Sequence, residues 1–361
     1  MNSDHNGSEH ISNPAAGSQV SAADERCGPG QPMNFPDDYA AAKQAAGLVN
    51  LGARGRIVAR GADRKTFLHA LLTNDIALLG AGTGCYAALL TPQGRMIADM
   101  NVFELGDVML LDVRREVKDL LLQRFDQLIF SEDVQLGDVS DAWGCLGVYG
   151  PRAAAMAGGV LGADLLDLRP FQNARLERDG EPVVAARRDG MGLIGVLLFT
   201  SAGWIPALAG ALMAEGAVPL SAGSAEALRI EAGEPAFLVD MTDDTIPLEA
   251  GLETGAVSFL KGCFPGQEVL VRIRDRGHGK VMRKLVGMLI EGDAPPAAGS
   301  PVLGGEKEIG RVTSSVMSPA LGRPIALGYV HRHYIAPGTA VAIAHGDGRL
   351  SATVTDLPLV R

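Results

Sequence analysis

Apolar and polar residues recur along this chain with two periods, and the change from one to the other marks its elements. Between Asp63 and Leu72 the apolar residues Phe67, Leu68, Leu71 and Leu72 fall at helical spacing, with Asp63 placed to cap the first turn. Cys85 to Leu90 reads as a short apolar strand. From Gly94 to Leu105 the side chains alternate, so Ile97, Asp99, Asn101 and Phe103 share one strand face. Gly106-Asp107 turns the chain into a third strand, Val108 to Val113, which predicts a hairpin. The spacing of Val117, Leu120, Leu121, Phe125 and Leu128 predicts an amphipathic helix over Arg114 to Ile129. Strands followed by a helix in this order predict an antiparallel α+β layer.

A second unit of the same kind follows Gly150-Pro151. It has an Ala-rich helix from Pro151, strands near 182–187 and 192–200, and a helix over 206–215, without a fixed-period repeat. Residues 224–232 predict one more helix. After Glu268 the chain alternates again: Val269, Val271 and Ile273 against Arg272, Arg274 and Arg276 predict a strand with one apolar and one guanidinium face. From Arg283 onward short apolar runs broken by Gly and Pro, at 284–290, 309–317, 325–330, 339–344 and 351–357, predict a small all-β barrel or sandwich. Residues 291–300 read as a connecting loop. Residues 1–33 are rich in Ser, Asn, Gly, Ala and Pro, bury almost nothing, and are expected to be a disordered tail. The division is thus 1–33, 35–280 and 281–361.

At 361 residues the chain exceeds one ordinary core, in line with several lobes. Mean hydropathy of +0.14 fits a soluble globular protein, and a net charge of −10 argues against general nucleic-acid binding. No run of about 18 apolar residues predicts a membrane span, and Met1 to Val20 lacks the features of a signal peptide. Cys27, Cys85, Cys145 and Cys263 are scattered without a C-x-x-C pair, which predicts neither a disulfide framework nor a self-contained zinc or iron–sulfur site. A cytoplasmic location is expected. His69, His278, His331 and His333 do not make a metal site by spacing. Gly80 to Cys85 is glycine-rich but precedes a strand, so it is no dinucleotide turn.

The most informative segment is Lys261-Gly262-Cys263-Phe264-Pro265-Gly266-Gln267-Glu268. Gly and Pro make it a tight, shaped loop. An ammonium two residues away favours thiolate, which makes Cys263 a candidate reactive sulfur; the plainer alternative is a small buried hydrophobe. Gln267 and Glu268 add donors and acceptors suited to the edge of a heterocycle.

That octapeptide resembles the signature of the YgfZ family, folate-binding proteins related to the glycine-cleavage T-protein. Further segments are similar to that superfamily in the same order over about residues 35–361. They are Phe67-Leu68 with Leu72 to Ile76, Gly150 to Ala153, Leu228 to Gly233, Pro247 to Leu252, Ile309 to Ser314 and Ala326 to Val330. The resemblance implies a three-lobed ring of two antiparallel α+β (ferredoxin-like) lobes and a C-terminal β-barrel, with tetrahydrofolate at its centre. It implies an accessory protein for iron–sulfur cluster assembly or repair, whose partners are reduced folate and iron–sulfur proteins or their assembly machinery. In it Cys263 is the working thiol and Lys261 lowers its pKa. Two alternatives stay open: a tetrahydrofolate-dependent aminomethyl- or methyltransferase with Asp99 as the orienting carboxylate, and a non-catalytic folate-sensing module.

Asp99 and Asn101 are candidates to orient a folate or a bound amine; the alternative for Asp99 is an ordinary surface carboxylate. The T-protein pattern has two consecutive acids where this chain has Ala98-Asp99, so one is lost. A pterin-gripping acid is also absent from Thr200 to Trp204, where Trp204 is left to stack on a pterin or to fill a core. Folate recognition then falls to Glu249, Gln267 or Glu268. The arginine face, with Arg272, meets a folate's glutamate tail or a negatively charged partner, or is simply solvated. Arg229 contacts ligand or holds its own helix by ion pairing with Glu231 or Asp99.

Overall fold

Residues 36–277 and 279–360 are described by the computed structural model. The expected tail lies outside them, as does His278. The first described elements are α1 (Asp37–Gln44), β1 (Gly47–Asn50), β2 (Arg54–Arg60), α2 (Arg64–Leu71), β3 (Thr83–Leu90), β4 (Met96–Glu104), β5 (Met109–Arg114), α3 (Arg115–Asp126) and β6 (Gln135–Asp138). Strands in the order β3-β4-β5-β2-β6 make an antiparallel sheet. The even positions of β4, Met96, Ala98, Met100 and Val102, pack with Phe67 and Leu68 of α2 and Val117, Leu121 and Phe125 of α3 in one core. Strand alternation therefore sends the odd positions, Asp99, Asn101 and Phe103, to the opposite face. The helix expected to reach Ile129 stops at Asp126, which leaves Leu128 43% exposed instead of buried.

Next come β7 (Trp143–Tyr149), α4 (Ala153–Leu161), β8 (Asn173–Arg178), β9 (Glu181–Arg187), β10 (Gly195–Ser201), α5 (Ile205–Ala214), β11 (Val218–Pro219) and α6 (Ala222–Glu231). The second sheet runs β11-β1-β7-β10-β9-β8 and is antiparallel except for the β1–β11 pair. Helices α4 and α5 cover one of its faces. Its other face meets the first sheet directly: Cys145, Leu197 and Phe199 pack with Phe103, Leu105 and Leu110. Phe103 and Phe199 meet edge to face at 5.9 Å. The two sheets are thus back to back, with helices outside, and the odd face of β4 looks into the layer between them.

The segment expected as an arginine-faced strand is instead helical, α7 (Gln267–Val271) continued by a π-helical turn over Arg272–Arg276. The side chains it buries with the first core are Leu270 and Ile273, three apart, which is a helical and not a strand spacing. The exposed ion pair between Glu268 and Arg272 has i,i+4 spacing and suits a helix as well.

The C-terminal strands are β12 (Arg283–Ile290), β13 (Pro301–Gly304), β14 (Lys307–Ser318), β15 (Arg323–His331), β16 (Ala340–His345) and β17 (Gly348–Thr355). They close into a barrel in the order β12-β15-β14-β13-β16-β17 around Val286, Met288, Val312, Val330 and Ile343. Closure removes the free edges that a sandwich would leave. The expected strands fall in it, those at 339–344 and 351–357 with shifted ends as Ala340–His345 and Gly348–Thr355, and the short β13 is added. The architecture is α+β with a closed β-barrel, as expected. No helix among the described residues is long and apolar enough to cross a membrane.

Candidate functional site

Asp99 stands opposite Ala88 in the β3–β4 ladder, and Asn101 stands between Tyr86 and Asp112. The Tyr86 hydroxyl donates to Asp99 Oδ2 at 2.6 Å. Burial, and then the neighbouring Asp99 charge, push the Tyr86 phenol well above its usual pKa, so it stays protonated and keeps donating. Asn101 Nδ2 donates to Asp112 Oδ2 at 2.9 Å, and Arg54 Nε grips both oxygens of Asp112 at 2.8 and 2.9 Å. Arg188 Nε donates to Asn101 Oδ1 at 2.9 Å, and its guanidinium lies 5.7 Å from the Tyr86 ring and 5.3 Å from the Phe171 ring. One half-buried carboxylate is therefore set beside two aromatic faces and a guanidinium, all braced by a buried polar chain.

The cysteine loop attaches at the root of the same strand. Gly266 has φ of +82° and Gly94, in the β3–β4 turn, has φ of +76°. A Cβ on Gly266 would come within 2.6 Å of the Thr91 carbonyl oxygen and 2.8 Å of Gly94 Cα, so only glycine allows this approach. Phe264 buries itself in the first core, and Cys263 is left exposed. Cys85 is half-buried, its thiol pushed up to about 12 by burial, and Cys145 is fully buried and shifted the same way. Among the described residues, Cys263 is the one exposed thiol.

Lys261 does not serve Cys263 as its spacing suggested. Its side chain is buried, and Nζ donates to the carbonyls of His69 and Leu72 at the C-terminal end of α2. Burial lowers its pKa to about 8, against the pull of Asp75 and Cys85. The ammonium thus ties the loop to α2. On the neighbouring surface, His69 pairs with Asp75 at 3.3 Å, and its Nε2 lies 3.9 Å from where a Cβ of Gly262 would be.

The GCVT N-terminal domain model matches residues 31–261, and the glycine cleavage T-protein C-terminal barrel domain model matches residues 283–361. The chain belongs to the glycine-cleavage T-protein family. It is 32% identical over 302 residues to an aminomethyltransferase of Rubrobacter xylanophilus, covering 84% of this chain and 80% of that one. A Streptomyces avermitilis aminomethyltransferase is 31% identical over 309 residues, with 84% and 83% covered. The solved glycine cleavage system aminomethyltransferase T from Bartonella henselae superposes with a TM-score of 0.81 at 25% identity, over 90% of this chain and 89% of that one.

Within this T-protein-family fold, the position that lost an acid, Ala98, is fully buried in the first core. Strand alternation turns it away from Asp99, so the loss falls on the far face of the sheet. Trp204 packs against the core of α4 and α5, on the outer side of the second sheet, away from the face that meets β4. Arg229 directs five hydrogen bonds to Glu226, the Glu234 carbonyl, Asp240 and Ser314, which uses every guanidinium N–H and involves neither Glu231 nor Asp99. Gln267 and Glu268 occupy the first turn of α7, and Arg272 pairs with Glu268 at 2.6 Å in solvent. Arg274 turns to Asp275 and lies 4.3 Å over the Phe259 ring, so the three arginines do not share a face. Glu249 is buried elsewhere, at a cleft against the barrel.

Sequence reasoning passed over Tyr86, Arg188, Phe171, Asp112 and Arg54. Tyr86 had a signal: it interrupts an otherwise small, apolar strand directly opposite Asn101. Arg188 had none, because it reaches Asn101 across 87 residues through the contact of two sheets.

Proposed function

We propose that the chain binds a reduced folate against Asp99 and works as a YgfZ-type accessory protein in iron–sulfur cluster assembly or repair, with Cys263 as its working thiol. The observation that carries this reading is the exposed Cys263 on a loop packed at the root of β4, the strand that bears Asp99. A pterin is a flat heterocycle with donors along one edge. The Asp99 acceptor and the faces of Tyr86, Phe171 and Arg188 suit such a ring. When bound, a reduced folate supplies a carrier for one-carbon units. Asp99 would orient it, Tyr86 would hold Asp99 in place, and the Arg54–Asp112–Asn101 chain would hold Arg188. Leu260, 98% exposed three residues before Cys263, offers a client protein an apolar contact beside the thiol.

The test is complementation of a strain lacking the protein, read as activity of iron–sulfur enzymes, together with calorimetric titration of tetrahydrofolate. Cys263→Ser is expected to keep folate affinity and lose complementation; full complementation by the Ser variant removes the thiol from the function. The names of the relatives favour a second reading, folate-dependent aminomethyl or methyl transfer with Asp99 orienting the amine. Turnover of tetrahydrofolate with a methylamine-type donor, abolished in Asp99→Ala but kept in Cys263→Ser, would establish that reading instead.

A further inference from the structure

A cleft of about 460 Å³ opens at one end of the barrel, and its volume falls in the range of small-molecule sites. None of the groups around Asp99 lines it. Strand register places it. Val286, Met288 and Ile290 of β12 and Val330 of β15 fill the barrel interior. Lys284 stands opposite Val330, so it ends that inward row. The ladder runs one step further, because Arg332 N donates to the Met282 carbonyl at 3.0 Å. Ile335, just beyond β15, packs against the barrel core, and with Val281 it gives the cleft its apolar walls. Barrel mouths are places where ligand sites form.

The charges at this mouth define what fits. Lys280, Lys284, Arg332 and His333 line it, and among the described residues no carboxylate does. None of these four side chains has a hydrogen bond or an ion pair among the described residues. The chain as a whole runs the other way, with 42 acidic residues against 32 Lys and Arg. Elsewhere on the barrel Arg283, Arg311 and Arg349 are matched by Glu249, Glu308 and Glu306. Positive charge is therefore gathered at the mouth and left unmatched. The His331 ring, 4.8 Å from that of His333, feels it: desolvation, then His333, Arg332 and Lys307, lower its pKa. Like charges held around a concave site repel one another and concentrate an anion there.

A carboxylate brings one charge and accepts in one plane, which leaves most of these donors unused. A terminal phosphate brings nearly two charges at neutral pH and three strong acceptor oxygens. The guanidinium fork of Arg332 suits two of those oxygens, and the ammonium of Lys284 a third as a point charge. We propose that this barrel mouth binds a small phosphate-bearing molecule, its phosphate on Lys284 and Arg332 and its organic part against Val281 and Ile335. This is independent of the folate reading, since the residues involved are different.

The test is calorimetric titration of the full chain, at one fixed salt concentration, with ribose 5-phosphate, inorganic phosphate, succinate and a single-stranded oligodeoxynucleotide. Ribose 5-phosphate is expected to bind at least about tenfold tighter than succinate, and tighter than inorganic phosphate through its organic part. Lys284→Gln and Arg332→Gln are each expected to weaken it about tenfold, the worth of one charge-assisted contact. Because neither side chain has a partner in the free protein, both variants should keep the thermal midpoint and the affinity for tetrahydrofolate. The proposal is overturned if ribose 5-phosphate does not bind at millimolar concentration, or if succinate or inorganic phosphate binds as tightly. Tighter binding of the oligonucleotide, which would make the mouth part of a nucleic-acid surface, or wild-type affinity in both variants overturns it as well.

Discussion

Tyr86 and Asp99, on neighbouring strands of the first sheet, are joined by a 2.6 Å bond in which the phenol donates to the carboxylate. That bond fixes the rotamer of Asp99 and uses only one of its oxygens. Removing the phenol releases the carboxylate without changing its charge. Tyr86→Phe is expected to weaken tetrahydrofolate binding about tenfold, and Asp99→Ala more, by titration calorimetry. Equal affinities for wild type and both variants would move the folate away from this strand.

Thiol reactivity should sort by burial. Iodoacetamide at pH 7.5 is expected to modify Cys263 and spare Cys85 and Cys145, whose thiols burial holds high. Peptide mapping by mass spectrometry reads this directly. Rapid modification of Cys85 would mean that the first core opens.

Lys261 gives a pH signature. Its folded pKa of about 8 lies below the ordinary lysine value of 10.5, so between those values the unfolded chain binds more protons than the folded one. Stability from this group is therefore gained as pH rises through that window. Comparison with Lys261→Met cancels the opposing thiols and phenols: wild type should gain on the variant from pH 8 to 10.5, in urea unfolding. A constant difference would mean that the ammonium is not buried against α2.

Restoring the acid that the T-protein pattern has at position 98 should harm rather than help. Ala98 is fully buried among aliphatics, so Ala98→Asp buries an unpaired carboxylate and should cost about 3 kcal/mol or more. Circular dichroism melts of the variant would show it, and an unchanged midpoint would mean that position 98 is not sealed in the first core.

Gly266→Ala places a Cβ 2.6 Å from the Thr91 carbonyl at a φ of +82°. It should cost about 2 kcal/mol and detach the cysteine loop from the β3–β4 turn. Faster proteolysis confined to residues 261–277 is the expected readout, and wild-type resistance would argue that the loop is held elsewhere.

What the sequence could convey depended on how far apart the interacting residues lie. The face shared by Asp99 and Asn101 was legible because strand period alone sets it, and the barrel strands were legible from their short runs between Gly and Pro. Arg272 to Arg276 misled because Val269, Val271 and Ile273 alternate with Arg272, Arg274 and Arg276 at period two, while the segment's burial follows Leu270 and Ile273 on a helix. The apparent partnership of Lys261 and Cys263 failed for a related reason: proximity in sequence left undecided which way the ammonium turned, and α2 offered it two carbonyls. The buried chain Arg54–Asp112–Asn101–Arg188 arises only when two sheets meet, and no local pattern announces it.

The most direct test of the central claim is the Cys263→Ser variant in a strain lacking the protein, with iron–sulfur enzyme activity and folate affinity measured side by side. The account predicts wild-type affinity for tetrahydrofolate and loss of the supported enzyme activity. Wild-type enzyme activity from the Ser variant would contradict it.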